Sequence, residues 1–320
     1  MSLQNLHDLP HQLKQKVVLN MDLPARLTTR NYCPIFRQII DTFPINFTEI
    51  LFLQTDLPTG PSLAIRWNCQ DGKSTVLGYA ECKTPPGAVV EMVHRKDMVV
   101  VEHKKRFLAG KDFMADAMKD VKVILGNPKV TVDQLVIKNA LDSLKDVLSS
   151  LTPKLSVRHL VLHYNLTEAS VLAILPYLKP RFLHTIHLWN DTESIFLDEV
   201  VKTEQWKGLK SLYMDNVEMM IDDLVHFDHI HIKFLALQAA KNIVGHAVEV
   251  AHVNFRFAVH FDRCEGSIRG YVDSLEDAPL PHLAHHHKKI DILGTVNCVH
   301  VLAKKGYFGV RKLRVVSDDS

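Results

Sequence analysis

The sequence predicts an α/β protein in which a small N-terminal unit of three helices precedes a curved array of parallel strands and helices, closed by a β-rich cap. Three observations predict it. Apolar residues recur at helical spacing over the first forty or so positions, a short apolar-x-apolar strand returns at a near-constant interval between residues 130 and 240, and hairpin-spaced strands follow residue 250.

The bulk numbers agree with a folded chain. In 320 residues, 47% are hydrophobic and 23% charged, enough apolar surface for about two domains' worth of core. Lys plus Arg number 38 against 36 Asp plus Glu, and a net charge of +2 supplies no field for nucleic acid or an anionic membrane. Neither partner is expected. Five widely spaced cysteines, Cys33, Cys69, Cys82, Cys264 and Cys298, form no C-x-x-C pair and read as reduced, mostly buried thiols. The N-terminus shows no basic stretch followed by an apolar run, and no run of about eighteen apolar residues occurs. The expectation is a soluble intracellular protein, cytoplasmic or nuclear, in which the acceptor-like triplets at Asn46, Asn165 and Asn190 carry no meaning.

Residues 5–44 read as the helical unit. Leu9, Leu13, Val17 and Val18 follow helical spacing around Pro10, a break falls at Asp22-Leu23-Pro24, and Pro34 precedes Ile35, Phe36, Ile39 and Ile40. A unit this small scarcely buries all of that surface internally, so part of it should be covered by the rest of the chain or by a partner. Residues 45–120 read as a β-rich connection: Ile50–Leu53, Leu63–Trp67 and Val76–Ala80 are strands, Asp71-Gly72 marks a hairpin turn, and 106–120 suits an amphipathic helix.

Residues 121–250 carry the repeat. Its strands begin at Leu135, Leu160, Ile186, Leu212 and Leu235, giving intervals of 25, 26, 26 and 23, the spacing of leucine-rich-repeat-like units of one strand and one helix. Leu141, Leu144, Val147 and Leu148 form one intervening helical stripe, and Thr167 is a plausible cap before another. Strands joined through helices run parallel, and short units stack into an arc. An ordinary α/β sheet with coincidental spacing is the alternative. Alternation sends Val136, Lys138, Val161, His163, His187, Trp189, Tyr213, Asp215, Ala236 and Gln238 outward. Lys138, His163, His187, Trp189, Tyr213, Asp215 and Gln238 would then line the inner face as a readable surface, unless Trp189 packs under a loop. Residues 251–320 return to strands that cap the array.

Catalytic patterns are missing. Gly72-Lys73-Ser74 lacks the first glycine of a phosphate loop, since Trp67 stands there, and no G-x-G-x-x-G, H-E-x-x-H or G-x-S-x-G occurs. Nineteen histidines include two clusters, His226/His229/His231 and His282/His285/His286/His287, which a metal-dependent enzyme could use. Packed or solvated histidines are the preferred reading, and no metal or cofactor is expected.

Leu9-Pro10 with Leu13 and Val17-Val18, then Leu23-Pro24 with Leu27, then Arg30, Cys33, Phe36 and Arg37 resemble an F-box, with His11-Gln12 where acidic residues are usual. Downstream, Glu204-Gln205-Trp206-Lys207, Leu224-Val225-His226-Phe227 and the run from Ile290 to Val316 are similar to the FTH domain of the nematode F-box-A class. The resemblance implies a non-catalytic adaptor whose F-box docks on a Skp-family linker of a cullin ubiquitin ligase while the rest captures a target protein. Leu9, Pro10, Leu13, Val17, Leu27, Phe36 and Ile40 are the candidate linker-binding residues. The competing expectation is a repeat-based interaction module with no ligase association.

Overall fold

The computed structural model describes residues 9–21, 23–58, 60–70, 72–97, 99–139, 141–163, 165–190, 195–215, 217–218, 223–224, 226–235, 241–243, 256–264, 286–291, 297–304 and 307–314. The chain is mixed α/β and divides into two compact units, Met1–His163 with Ala169–Leu183, and Tyr164–Glu168 with His184–Ser320.

The first unit opens with α1 (His11–Asn20), α2 (Leu23–Tyr32) and α3 (Pro34–Ile40). Prolines place the boundaries. Pro10 stands at the N-cap of α1, and its carbonyl accepts from the Leu13 and Lys14 amides at 2.9 and 3.1 Å. Pro34 opens α3, where its missing N–H costs nothing. Arg26 caps the far end of α1, donating through Nε to the Val18 and Met21 carbonyls at 2.9 and 3.0 Å and through Nη2 to Leu19 O at 3.0 Å. Val18, Phe36, Ile39 and Ile40 close a small core, with Cys33, Ile35 and Phe43 packed against it.

Five antiparallel strands follow: β1 (Ile45–Leu57), β2 (Gly60–Cys69), β3 (Lys73–Lys83), β4 (Pro86–Lys96) and β5 (Val99–Ala109). The predicted hairpin turn stands between β2 and β3, where Gly72 takes φ +75° and an added Cβ would meet Asp97 Oδ1 at 2.7 Å. The helix predicted over 106–120 is corrected. Residues up to Ala109 are strand, and helix α4 is Phe113–Leu125. Its start is set by Asp112, whose Oδ1 accepts from Met114 N at 2.8 Å and Ala115 N at 3.3 Å just after Gly110 at φ +62°.

Parallel strands β6 (Val130–Lys138) and β7 (Ser156–His163) lie on the other side of β1, in the order β7-β6-β1-β2-β3-β4-β5, with α5 (Leu141–Ser149) between them in sequence. The register Leu135↔Leu160 sets two of the recurring strands side by side. Val136 and Val161, predicted to face outward, are 7% and 4% exposed. Leu135, Ile137, Leu160 and Leu162 are also buried, so these strands are covered on both faces, as parallel strands flanked by other elements usually are. The burial stripe also steps by three residues, from Val132 to Leu135 and from Val157 to Leu160, next to a register shift in β1 between Phe47 and Glu49.

The helical unit is tied to this sheet through the α4–β6 turn. Arg30 Nη2 donates to Gly126 O at 2.9 Å, Lys129 Nζ to Thr42 O at 2.8 Å, and buried Asn127 Nδ2 to Ile40 O at 3.4 Å.

The second unit contains β8 (Thr185–Trp189), β10 (Ser211–Asp215), β12 (His229–Leu235) and β13 (Arg256–Cys264), all parallel. Strands β16 (Tyr307–Arg314), β15 (Asn297–Lys304) and β14 (His286–Asp291) continue antiparallel from β13, the hairpin spacing expected after residue 250. A two-stranded pair, β9 (Ile195–Phe196) with β11 (Val217–Glu218), stands apart. Leu212 pairs with Ile186 on one side and Ile230 on the other. The fifth repeat strand, predicted to begin at Leu235, is thus corrected: Ile230 occupies that register, and Ala236 and Gln238 lie outside the described residues. Asp228 N and His229 N both donate to Lys210 O, at 2.9 and 3.1 Å, and β12 starts at His229, ahead of the predicted Leu235.

Helix α6 (Glu204–Lys207) holds Trp206 at 1% exposure. Its N–H is capped by Thr203 Oγ1 at 3.2 Å, its indole Nε1 donates to Asp223 O at 3.2 Å, and its rings meet Phe227 edge-on at 5.3 Å. His226 Nε2 lies 3.0 Å from Trp206 O. The two short motifs quoted above for their family resemblance therefore pack on one another.

Candidate functional site

Two surfaces of different chemistry stand out, one in each unit. On α1, positions 10, 13 and 17 follow helical spacing and share a stripe, while Lys14 and Val18 form the buried stripe. Pro10 is exposed, Leu13 is 45% exposed and Val17 37%. Leu19 at 55% and Tyr32 at 81% add exposed apolar surface that the sequence reading did not single out. Leu9 is half-buried, and the Leu27 side chain lies outside the described set.

Phe36 and Ile40 are corrected as docking residues. They are 2% and 1% exposed in the α1–α3 core, so they hold the unit together and present nothing to a partner.

In the second unit, strand alternation puts Ile186, Leu188, Leu212 and Ile230 on the buried face at 2% exposure or less. The opposite face carries a row of rings. His187 stacks on Tyr213 with centroids 4.1 Å apart and planes at 21°, and Tyr213 continues to His231 at 5.7 Å and 26°. Direct register makes the row, since His187 pairs with Tyr213 and Tyr213 with His231. Trp189, 48% exposed, pairs with Asp215 one step along the same face. His231 takes the place anticipated for the fifth strand, and only the register shift of β12 reveals it.

Lys138 and His163 are half-buried neighbours in register on β6 and β7 of the first unit. Gln238 lies outside the described residues. Asn190, at the end of β8, is fully buried, and its Oδ1 accepts from Leu166 N at 3.2 Å.

Among the described residues no group of three or more His, Cys, Asp or Glu could hold a metal ion, and no helix is long and apolar enough to cross a membrane. His226 of the first histidine cluster serves the Trp206 helix instead. His282 and His285 lie outside the described residues. Cys33, Cys69 and Cys82 stand in no disulfide and are half-buried rather than buried.

A family model, the FTH domain, matches residues 138–263. F-box A protein 224 of Caenorhabditis elegans is 30% identical over 139 residues, 39% of this chain, and the chain spans 36% of that protein's length. No solved structure matches.

Proposed function

We propose that this chain, an FTH-containing protein of the nematode F-box-A type, is a non-catalytic substrate adaptor of a cullin ubiquitin ligase. Residues 5–44 act as the F-box on a Skp-family linker, and the strand-and-helix array over 121–250, capped by 251–320, captures a target protein.

The observation that carries the reading is the apolar stripe of Pro10, Leu13 and Val17, left exposed beside a core already closed by Val18, Phe36, Ile39 and Ile40. A helical unit that has satisfied its own core and still shows such a stripe is built to be covered by a partner. The ring row His187–Tyr213–His231 with Trp189 supports target capture, because rigid aromatic side chains make binding anchors at low entropic cost. The adaptor works by proximity: target and ubiquitin-charged enzyme on one scaffold meet at high effective concentration, and no group of this chain enters the chemistry.

Co-purification of the full chain with a Skp-family linker and cullin tests it. Wild type should bring both down. Leu13→Ala with Val17→Ala should weaken linker capture about tenfold or more, as expected for two interface anchors, and Tyr213→Ala with Trp189→Ala should leave it unchanged. A wild-type chain that ignores the linker overturns the proposal.

A further inference from the structure

Bordering the first of these surfaces, with which it shares Tyr32, the first unit contains a cleft of about 510 Å³ between α4 and the sheet. Its size falls in the range of small-molecule sites, roughly 300–1,000 Å³. Trp67, Leu77, Val90 and Met92 form the sheet wall, Val123 and Ile124 the helix wall, and Thr28 and Tyr32 of α2 the rim.

The polar groups are unbalanced. Trp67 is 3% exposed, and its indole N–H has no hydrogen-bond partner among the described residues. A buried donor left unmade is costly, so it marks a place where an acceptor belongs. The strand register then brings cations to the same wall: Val90 pairs with Arg106 and Met92 with Lys104. Lys104 is held by Glu102, whereas Arg106 makes no ion pair among the described residues. The cleft's own carboxylate, Asp120, already accepts from the Tyr79 hydroxyl at 2.5 Å through Oδ2. The cleft therefore offers an apolar body-sized space, an unmet N–H and, at its exposed edge, a guanidinium in no ion pair among the described residues, with the Asp120 carboxylate on the facing helix.

We infer that this cleft binds a small amphipathic anion, an apolar chain or ring system ending in a carboxylate, with Arg106 as the carboxylate partner and Trp67 N–H as a second donor. A guanidinium meets a carboxylate with two parallel donors, which fixes the ligand's orientation as well as its charge. Because α2 supplies part of the rim, the occupied cleft would brace the helical unit against the sheet.

Calorimetric titration of the full chain with decanoate, and with decanol as its uncharged counterpart, tests the assignment. Decanoate should bind saturably at one site, and decanol about tenfold more weakly or worse, the scale of a lost charge-assisted hydrogen bond. Arg106→Gln should weaken decanoate about tenfold with little effect on decanol. Trp67→Phe, which keeps an aromatic ring of smaller size and removes the donor, should weaken decanoate several-fold and leave decanol little changed. Lys111→Gln, a charge removed outside the cleft, should change nothing, and circular dichroism on each variant checks folding. Decanoate binding that does not saturate, that is equal in wild type and Arg106→Gln, or that decanol matches overturns the inference.

Discussion

Tyr79, on β3, donates its hydroxyl to Asp120 Oδ2 on α4 across 2.5 Å, pinning helix to sheet through a ring that is 1% exposed. Burial first, and then the neighbouring carboxylate, push the phenol well above its ordinary range. The folded state therefore keeps a proton that the unfolded chain loses from about pH 10 upward. The stabilisation is complete below that pH and is lost as pH rises beyond it. Urea unfolding should show stability falling above about pH 10 in wild type and a shallower fall in Tyr79→Phe. Near neutrality, Tyr79→Phe should cost about 1–3 kcal/mol. Identical alkaline slopes in the two proteins would rule the assignment out.

Arg30 joins three segments. It forks onto Asp41 through Nε at 2.6 Å and Nη2 at 3.4 Å, and Nη2 also reaches Gly126 O at 2.9 Å. With side chains 15% and 25% exposed, this pair is shielded from solvent. Arg30→Ala should destabilise the chain by about 2–3 kcal/mol in chemical denaturation. Arg30→Lys should recover little, since an ammonium lacks the fork. Full recovery by lysine would show that charge alone matters.

Packing and docking separate on the helical unit. Phe36→Ala should cost about 3–5 kcal/mol by emptying the α1–α3 core, whereas Leu13→Ala, at an exposed position, should stay within about 0.5 kcal/mol. Thermal melting of the two variants checks this; equal losses would mean that α1 is packed otherwise.

Trp206 is the anchor of the second unit's loop side. Trp206→Ala should cost about 3–5 kcal/mol. Trp206→Phe keeps a ring against Phe227 but loses the bond to Asp223 O and part of the buried indole volume, for about 1–3 kcal/mol. Denaturant midpoints distinguish the two, and a silent Trp206→Ala would remove the reason for the motif's spacing.

Much of this was legible in the sequence because local and global signals coincided. Prolines at 10 and 34 announced helix starts, and Leu135, Leu160, Ile186 and Leu212 all fall inside parallel strands, Leu135 in register with Leu160 and Ile186 with Leu212. What failed did so for physical reasons. Strands β4 and β5 were missed because charged residues interrupt their apolar runs and β5 buries almost nothing. Val136 and Val161 were sent outward by alternation, which holds only where one face meets water. Phe36 and Ile40 looked like docking residues since an apolar stripe in sequence does not say which side the core takes. The ring row was half visible: His187 and Tyr213 followed from spacing, but His231 required the β12 register.

Strand β5 ends the first unit's sheet, with Val99, Val100 and Val101 at 51–64% exposure and no further strand beyond it among the described residues. Such a border invites a second copy to zip on by backbone pairing. Lys104, Lys105 and Arg106 sit in the middle of that border, so two copies meeting there would bring six cations together across about 5 Å. The same basic run that lines the cleft thus sets like charges along this border, an arrangement that opposes strand-to-strand pairing of two copies.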